Sequence, residues 1–481
     1  MVFSSIGFLC LFFPIVFLGY HALPNRWKNL FLAVASILFY AWGEPRFVIL
    51  MLVSVAFNFR LALSIGRATS TSRRKILLLA AVTINLLLLT IFKYTGFLAS
   101  NVNAVLGLAG NMQIHVPQIA LPVGISFYTF HAISYLIDIY RNNAHPNESI
   151  IEYSLYIMLF PQLIAGPIIR YKDIHTQLHT RCTGLSDLEE GLYRFILGLS
   201  KKVLLANPLG LIADSGFDAP IQDLTTSSAW LCLAAYTLQI YFDFSGYSDM
   251  AIGLARVFGF RFPENFHYPY TARSIQQFWR RWHISLSTWF RDYVYIPLGG
   301  NRLGQTRTLI NLWIVFLLTG IWHGASWNFV IWGAIHGFFL MSERLIDQSH
   351  LGRIALPAWL GHAYTMLVVM FAWVFFRMEG LDDALTYIKV LLGQRPENAA
   401  AQPYSVTQSL HIGIILLLAV LLASGAYAKV YNSAKVAALL SRARQLALDG
   451  LLRSLLAFPL LGLCMMMLAL GQYNPFIYFR F

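Results

Sequence analysis

The chain has 481 residues, 57% of them hydrophobic and only 12% charged, with a mean hydropathy of +0.59. A soluble domain carries roughly 25% charged residues, so the composition excludes a string of soluble domains and describes an all-α polytopic membrane protein. The formal net charge of +13 points to cytoplasmic loops rather than nucleic acid, because excess Lys and Arg in a membrane chain gather on that side.

A membrane span needs about 20 mainly apolar residues. Candidates occupy 5–23, 30–42, 47–63, 76–98, 119–140, 191–213, 229–258, 308–322, 327–345, 359–376, 411–427 and 451–470. The first lacks the basic n-region of a cleavable signal and reads as a retained span. Two stretches read as re-entrant. One is 150–170, broken by Pro161, Gly166 and Pro167; the other is 275–298, too charged to face lipid. Such backbone is tolerated at membrane depth only inside protein or along a cavity. The basic loops 24–29, 60–75 and 429–453 place both termini on the non-cytoplasmic side. The cysteines Cys10, Cys182, Cys232 and Cys464 show no metal or disulfide spacing.

Between 251 and 310 eight arginines face two acids, Glu264 and Asp292. Within this stretch 278–295 reads as one helix, with Trp279, Trp282, Leu286, Trp289 and Phe290 on one face. Its cations, Arg280 and Arg281 among them, suit either lipid phosphates or an anionic ligand held by the planar guanidinium fork. His283 lies in the same segment. Upstream, Asp243 and Asp249 call for cationic partners if buried. The stretch 318–337 then carries an imidazole, His323, in an otherwise lipid-compatible run. Intramembrane ionisable residues are functional candidates by default. Gly320 and Gly324 flank it at a spacing that admits a neighbouring backbone, and His336 repeats the Trp/Gly/His context.

Several of these stretches together resemble one family. YFDFSGYSDMAIG (241–253), FWRRWHISLSTWFRDYVYIPLGGNR (278–302), WHG (322–324), LPVGISFYTF (121–130), FPQLIAGPIIRY (160–171), the opening MVFSS and the closing NPFIYFRF are similar to the membrane-bound O-acyltransferases. The most similar branch is the bacterial alginate O-acetyltransferase type, which includes peptidoglycan and cellulose acetylation proteins. The resemblance implies a ring of helices around a central funnel, in a single acyltransferase domain over 1–481: N-terminal helices at 1–117, a catalytic core at 118–346, and C-terminal helices with an outward tail at 347–481. It also implies that His323, in the WHG motif, is catalytic, and it maps the RRWH histidine to His283. The stretches 377–404 and 428–449 match nothing in the pattern.

Chemistry fits this reading. Esterifying a hydroxyl from an acyl thioester needs a base and an oxyanion donor. Neutral imidazole, with an ordinary pKa of about 6.5, suits the first role. His283, Asn311 or a backbone N–H suits the second. Acetyl-CoA is the expected donor, with no permanent cofactor or metal. Arg280, Arg281 and Asn311 are its candidate contacts. The expected acceptor is an extracytoplasmic polysaccharide such as alginate, or a periplasmic acetyltransferase partner, and the membrane is the bacterial inner membrane. Tyr478, near the outward end, offers a phenol that can carry acetyl across; an interfacial aromatic anchor is the alternative. A transporter or polysaccharide-export channel is the competing class, and a non-catalytic scaffold a third.

Overall fold

The computed structural model describes residues 2–110, 113–348, 357–394, 410–426, 448–471, 473–474 and 477. Among them the chain is helical, without an extended strand. Five helical stretches are long and apolar enough to cross a membrane: Val48–Arg67, Thr71–Leu108, Leu185–Phe217, Trp327–Gln348 and Ala358–Arg377. The chain packs as two compact units, Met1–Leu192 with Ala251–Pro263, and Tyr193–Met250 with Glu264–Phe481.

The first unit contains α1 (Phe13–Ala22), α2 (Asn25–Gly43), α3 (Val48–Arg67), α4 (Thr71–Leu89), α5 (Thr95–Ala109), α6 (Ile125–Tyr140), α7 (Ile150–Met158), α8 (Phe160–Leu163) and α9 (Tyr171–His179), and the start of α10 (Leu185–Ser200). Helices α4 and α5 join through a π turn at Thr90–Tyr94. The helical run therefore continues past 98, the expected end of that span, to Gly110, whose φ of +140° ends the helix. Leu79, Leu86, Leu87 and Ile91 stay exposed, as a lipid face requires. The re-entrant expectation at 150–170 agrees with two short helices followed by irregular backbone, buried from Leu155 to Ile169. Side chains satisfy that backbone: the Ile169 N–H donates to His131 Nε2 at 3.1 Å, and Tyr156 Oη donates to the Ile169 carbonyl at 3.0 Å.

In the second unit α10 continues through a π turn, Lys201–Ala206, into α11 (Asn207–Phe217). There follow α12 (Thr226–Val257), α13 (Ile275–Trp279), α14 (Ile284–Phe290), α15 (Gln305–His323), α16 (Trp327–Gln348), α17 (Ala358–Arg377), α18 (Leu381–Leu391), α19 (Leu410–Ala423) and α20 (Leu448–Ala469). Helix α18 falls in the stretch that matched no pattern. It buries Ala384, Tyr387, Val390 and Leu391 along one face.

Helices α15 and α16 form a hairpin with touching backbones. A methyl group on Gly333 would collide with the Phe316 carbonyl and stand 3.1 Å from the Gly320 Cα. Gly320 thus meets another backbone as its spacing predicts, whereas Gly324 faces the ring of Phe329. Gly333→Ala is expected to lower stability by about 1–3 kcal/mol through overpacking. Gly462→Ala, where nothing lies within 4 Å of the added carbon, is the control. Thermal unfolding in detergent should show a lowered midpoint for the first variant only; equal midpoints would contradict the close packing.

Candidate active site

His323 is the last residue of α15, which ends as Gly324 turns extended. Its ring is enclosed by Trp322, Trp332 and Phe376, with centroids 4.9, 4.9 and 5.2 Å away. Only 4% of the residue is exposed. Trp332 also touches His336, whose ring lies 5.0 Å from the indole. His336 is fully buried between Trp279 and Phe278, and among the described residues neither of its ring nitrogens has a hydrogen-bond partner.

The segment 278–295 is not the single helix its periodicity predicts. Helix α13 ends at Trp279, and His283 takes φ +44° and ψ +55° before α14 starts. This left-handed conformation costs a non-glycine residue about 1–3 kcal/mol and needs support from its surroundings. Asn265 supplies it. The Asn265 carbonyl accepts the Ile284 N–H at 3.0 Å, and its side-chain Oδ1 accepts the Ser285 N–H at 3.2 Å and Ser285 Oγ at 2.9 Å. Asn265 Nδ2 donates to Ser248 Oγ at 3.1 Å. Glu343 on α16 anchors the other end of the segment by accepting the N–H groups of Ile275 and Gln276 at the start of α13.

Asn265 also sets the state of His283. The two contacts from Ser285 identify the Asn265 atom as oxygen, and this same Oδ1 lies 3.2 Å from His283 Nδ1. An oxygen acceptor there requires Nδ1 to carry the proton. Nε2 keeps its lone pair, buried and without a hydrogen-bond partner among the described residues. The ring lies 4.7 Å from Phe244 and 6.3 Å from Trp322, the neighbour of His323. Two histidines forty positions apart thus both lie against one indole. Asn265 and Glu343 carried no signal in the sequence, because an isolated Asn or Glu in a loop or a helix has no pattern of its own; Ser248 lies in the 241–253 motif, which does not say what it touches.

The other candidates separate. Asn311 donates both amide hydrogens, to the carbonyls of Leu298 and Gly300 at 3.2 and 3.1 Å. It thereby holds the turn before α15 and leaves no N–H for an oxyanion. Arg281 donates from Nη1 to Thr271 Oγ1, and its carbonyl accepts the His267 N–H. Arg280 is exposed. Tyr478 lies outside the described residues. The acids found cationic partners: Asp249 lies 2.8 Å from Arg194 and 2.5 Å from Lys201, and Asp243 lies 2.6 Å from Lys202.

Residues 5–381 match the model of MBOAT, the membrane-bound O-acyltransferase family. The chain belongs to that family. Within it, the chain is 42% identical over 436 residues to the probable alginate O-acetylase AlgI of Pseudomonas aeruginosa, covering 90% of this chain and 82% of that one. It is 46% identical over 388 residues to the protein of the same name from Azotobacter vinelandii, covering 80% and 76%. To the peptidoglycan O-acetyltransferase of Helicobacter pylori it is 37% identical over 428 residues, covering 82% and 80%. This membrane-bound O-acyltransferase is a multi-pass membrane enzyme, and both its histidine motifs lie within the matched span.

Proposed function

We propose that the protein transfers acetyl from acetyl-CoA at the cytoplasmic face to an extracytoplasmic polysaccharide, with His323 as general base. The observation that carries this reading is the pair of buried histidines whose rings both lie against Trp322, one of them held in a defined tautomer. A buried imidazole in an aromatic enclosure takes a proton where water cannot compete for it. The proton leaves the acceptor hydroxyl, the oxygen attacks the thioester carbonyl, and the C–S bond breaks. The thiolate of coenzyme A then takes the proton back from the imidazolium. His283, with Nδ1 facing Asn265 Oδ1, is the second imidazole of the site in this reading.

Alginate is the acceptor we favour, given relatives of that name at 42% and 46% identity; peptidoglycan is the alternative. The donor is anionic and cytoplasmic while the polymer is outside, so only the acetyl group crosses. Tyr478 carries it in this reading, with both termini outward and a periplasmic acetyltransferase partner receiving it. Arg280 and neighbouring cations of 256–307 lie at the donor's phosphates.

Proteoliposomes with acetyl-CoA on one side and polymer with its partner proteins on the other test this. Consumption of acetyl-CoA with acetyl ester recovered across the membrane is expected. Passage of intact acetyl-CoA would identify a transporter, and an intact donor with no ester a scaffold.

A further inference from the structure

The last described residue of the chain sits on a buried ion pair. Lys202 Nζ lies 2.6 Å from Asp243 Oδ1, with the two side chains only 4% and 2% exposed. The other carboxylate oxygen, Oδ2, accepts the backbone N–H of Ile477 at 2.9 Å, from 234 residues further along the chain. Ile477 is itself 7% exposed and belongs to the hydrophobic core of the second unit. Two more contacts fasten the tail upstream. Tyr473 Oη donates to Asp214 Oδ2, while Arg377 donates to Asp214 Oδ1 at 2.8 Å. Asn207 Nδ2 donates to Asn474 Oδ1 at 3.2 Å. Gly210 leaves room for the Tyr473 ring, which would stand 3.2 Å from an added methyl group.

An ion pair buried this deeply is a poor source of stability, because apolar residues of equal volume often do as well. Its attested use is to fix register, and here the register concerns the tail. Asp243 offers one oxygen to Lys202 and the other to a single backbone N–H, so a slip of the tail by one residue would point that oxygen at a side chain or a carbonyl. The lysine reaches inward from the π turn Lys201–Ala206, and such turns recur at functional sites. Gly198 and Gly246 bring α10 against α12 beside it: a methyl group on Gly198 would lie 2.5 Å from the Gly246 carbonyl. The next residue after Asp243 on α12 is Phe244, whose ring packs on His283. Neighbouring positions of α12 thus carry the carboxylate that holds the tail and a ring that packs on His283.

We propose that Asp243 is a positioning residue that seats the C-terminal tail in one register at Ile477, with Lys202 holding the carboxylate in place. The seat's existence is independent of the carrier role given to Tyr478, although its contribution to transfer rests on that role. Hydrogen–deuterium exchange of the C-terminal peptide in nanodiscs tests it. Lys202→Met with Asp243→Asn removes both charges but keeps an acceptor for the Ile477 N–H, and the peptide should stay protected. Lys202→Met with Asp243→Leu removes the acceptor too, and exchange should rise about tenfold, the factor expected for one buried hydrogen bond. In polymer acetylation the leucine pair should lower kcat relative to the asparagine pair and leave the KM for acetyl-CoA the same. Ile477→Pro deletes the donor from the tail side and leaves the ion pair intact, so it reports even where the leucine pair does not insert. It should raise exchange in the remaining tail amides and lower kcat. Equal tail protection in the two pair variants, or wild-type exchange in Ile477→Pro, would overturn the seat. If instead Tyr478→Phe retains full activity while the leucine pair exposes the tail, the seat stands and the carrier reading falls.

Discussion

His323→Ala lowers acetyl transfer by about 10²–10⁴-fold, the usual effect of deleting a general base, while the protein still folds and inserts. The imidazole is enclosed by Trp322, Trp332 and Phe376, so water has little room to replace it as a base. Those rings also pack on one another, Trp332 on Phe376 at 5.2 Å and on Trp373 at 6.0 Å. The helix ends at this position in any case, and the α15–α16 hairpin is held by Gly320 and Gly333 rather than by the imidazole. Truncation therefore leaves a small cavity in a frame that stands without it. Acetyl-CoA consumption and ester formation in proteoliposomes, read alongside the thermal midpoint, measure the two effects separately. Near-wild-type transfer by a well-folded His323→Ala protein would remove the base from this site. His283→Ala would then become the decisive variant, since its Nε2 is the neighbouring buried lone pair.

Tyr478→Phe abolishes acetylation of the polymer and leaves folding unchanged. The substitution keeps the ring and removes only the nucleophilic oxygen. A phenol has an ordinary pKa of about 10, so under the proposed carrier role an imidazole would help to take its proton as the oxygen attacks the thioester. The C–S bond would then break, a phenyl ester would form, and the thiolate of coenzyme A would take up the proton. A phenyl ester is a better acyl donor than an alkyl ester, which suits onward transfer to a hydroxyl outside. The preceding residue, Ile477, is buried in the core of the second unit and tied to Asp243. Intact-mass analysis of the C-terminal peptide after incubation with acetyl-CoA should find one acetyl on the wild type and none on the variant. If Tyr478→Phe acetylates polymer at the wild-type rate, the tail serves as an anchor and acetyl passes straight from the histidine site to its acceptor.

Helices, family and histidines were legible in the sequence because each is a local signal. Apolar runs of membrane length need no partner to be recognised, and the WHG and RRWH motifs carry their imidazoles as contiguous text at His323 and His283. Breakers were legible as well: Pro161 and Gly166 announced the irregular buried stretch that the structure contains. Periodicity misled at 278–295. The aromatic spacing there satisfies a helix, yet the chain breaks at His283, because contacts from Asn265 offset the cost of a left-handed residue. Only the tertiary structure decided which polar groups are already committed. Asn311 spends its amide on a turn, and Arg281 is bonded to Thr271. Asp243 shares its two oxygens between Lys202, 41 residues before it, and Ile477, 234 residues after. A hydrogen bond depends on where its partner lies in space, and at membrane depth the backbone's polar groups must find one within the protein. Local sequence sets which groups are present; the packing of distant helices sets which of them remain available for chemistry.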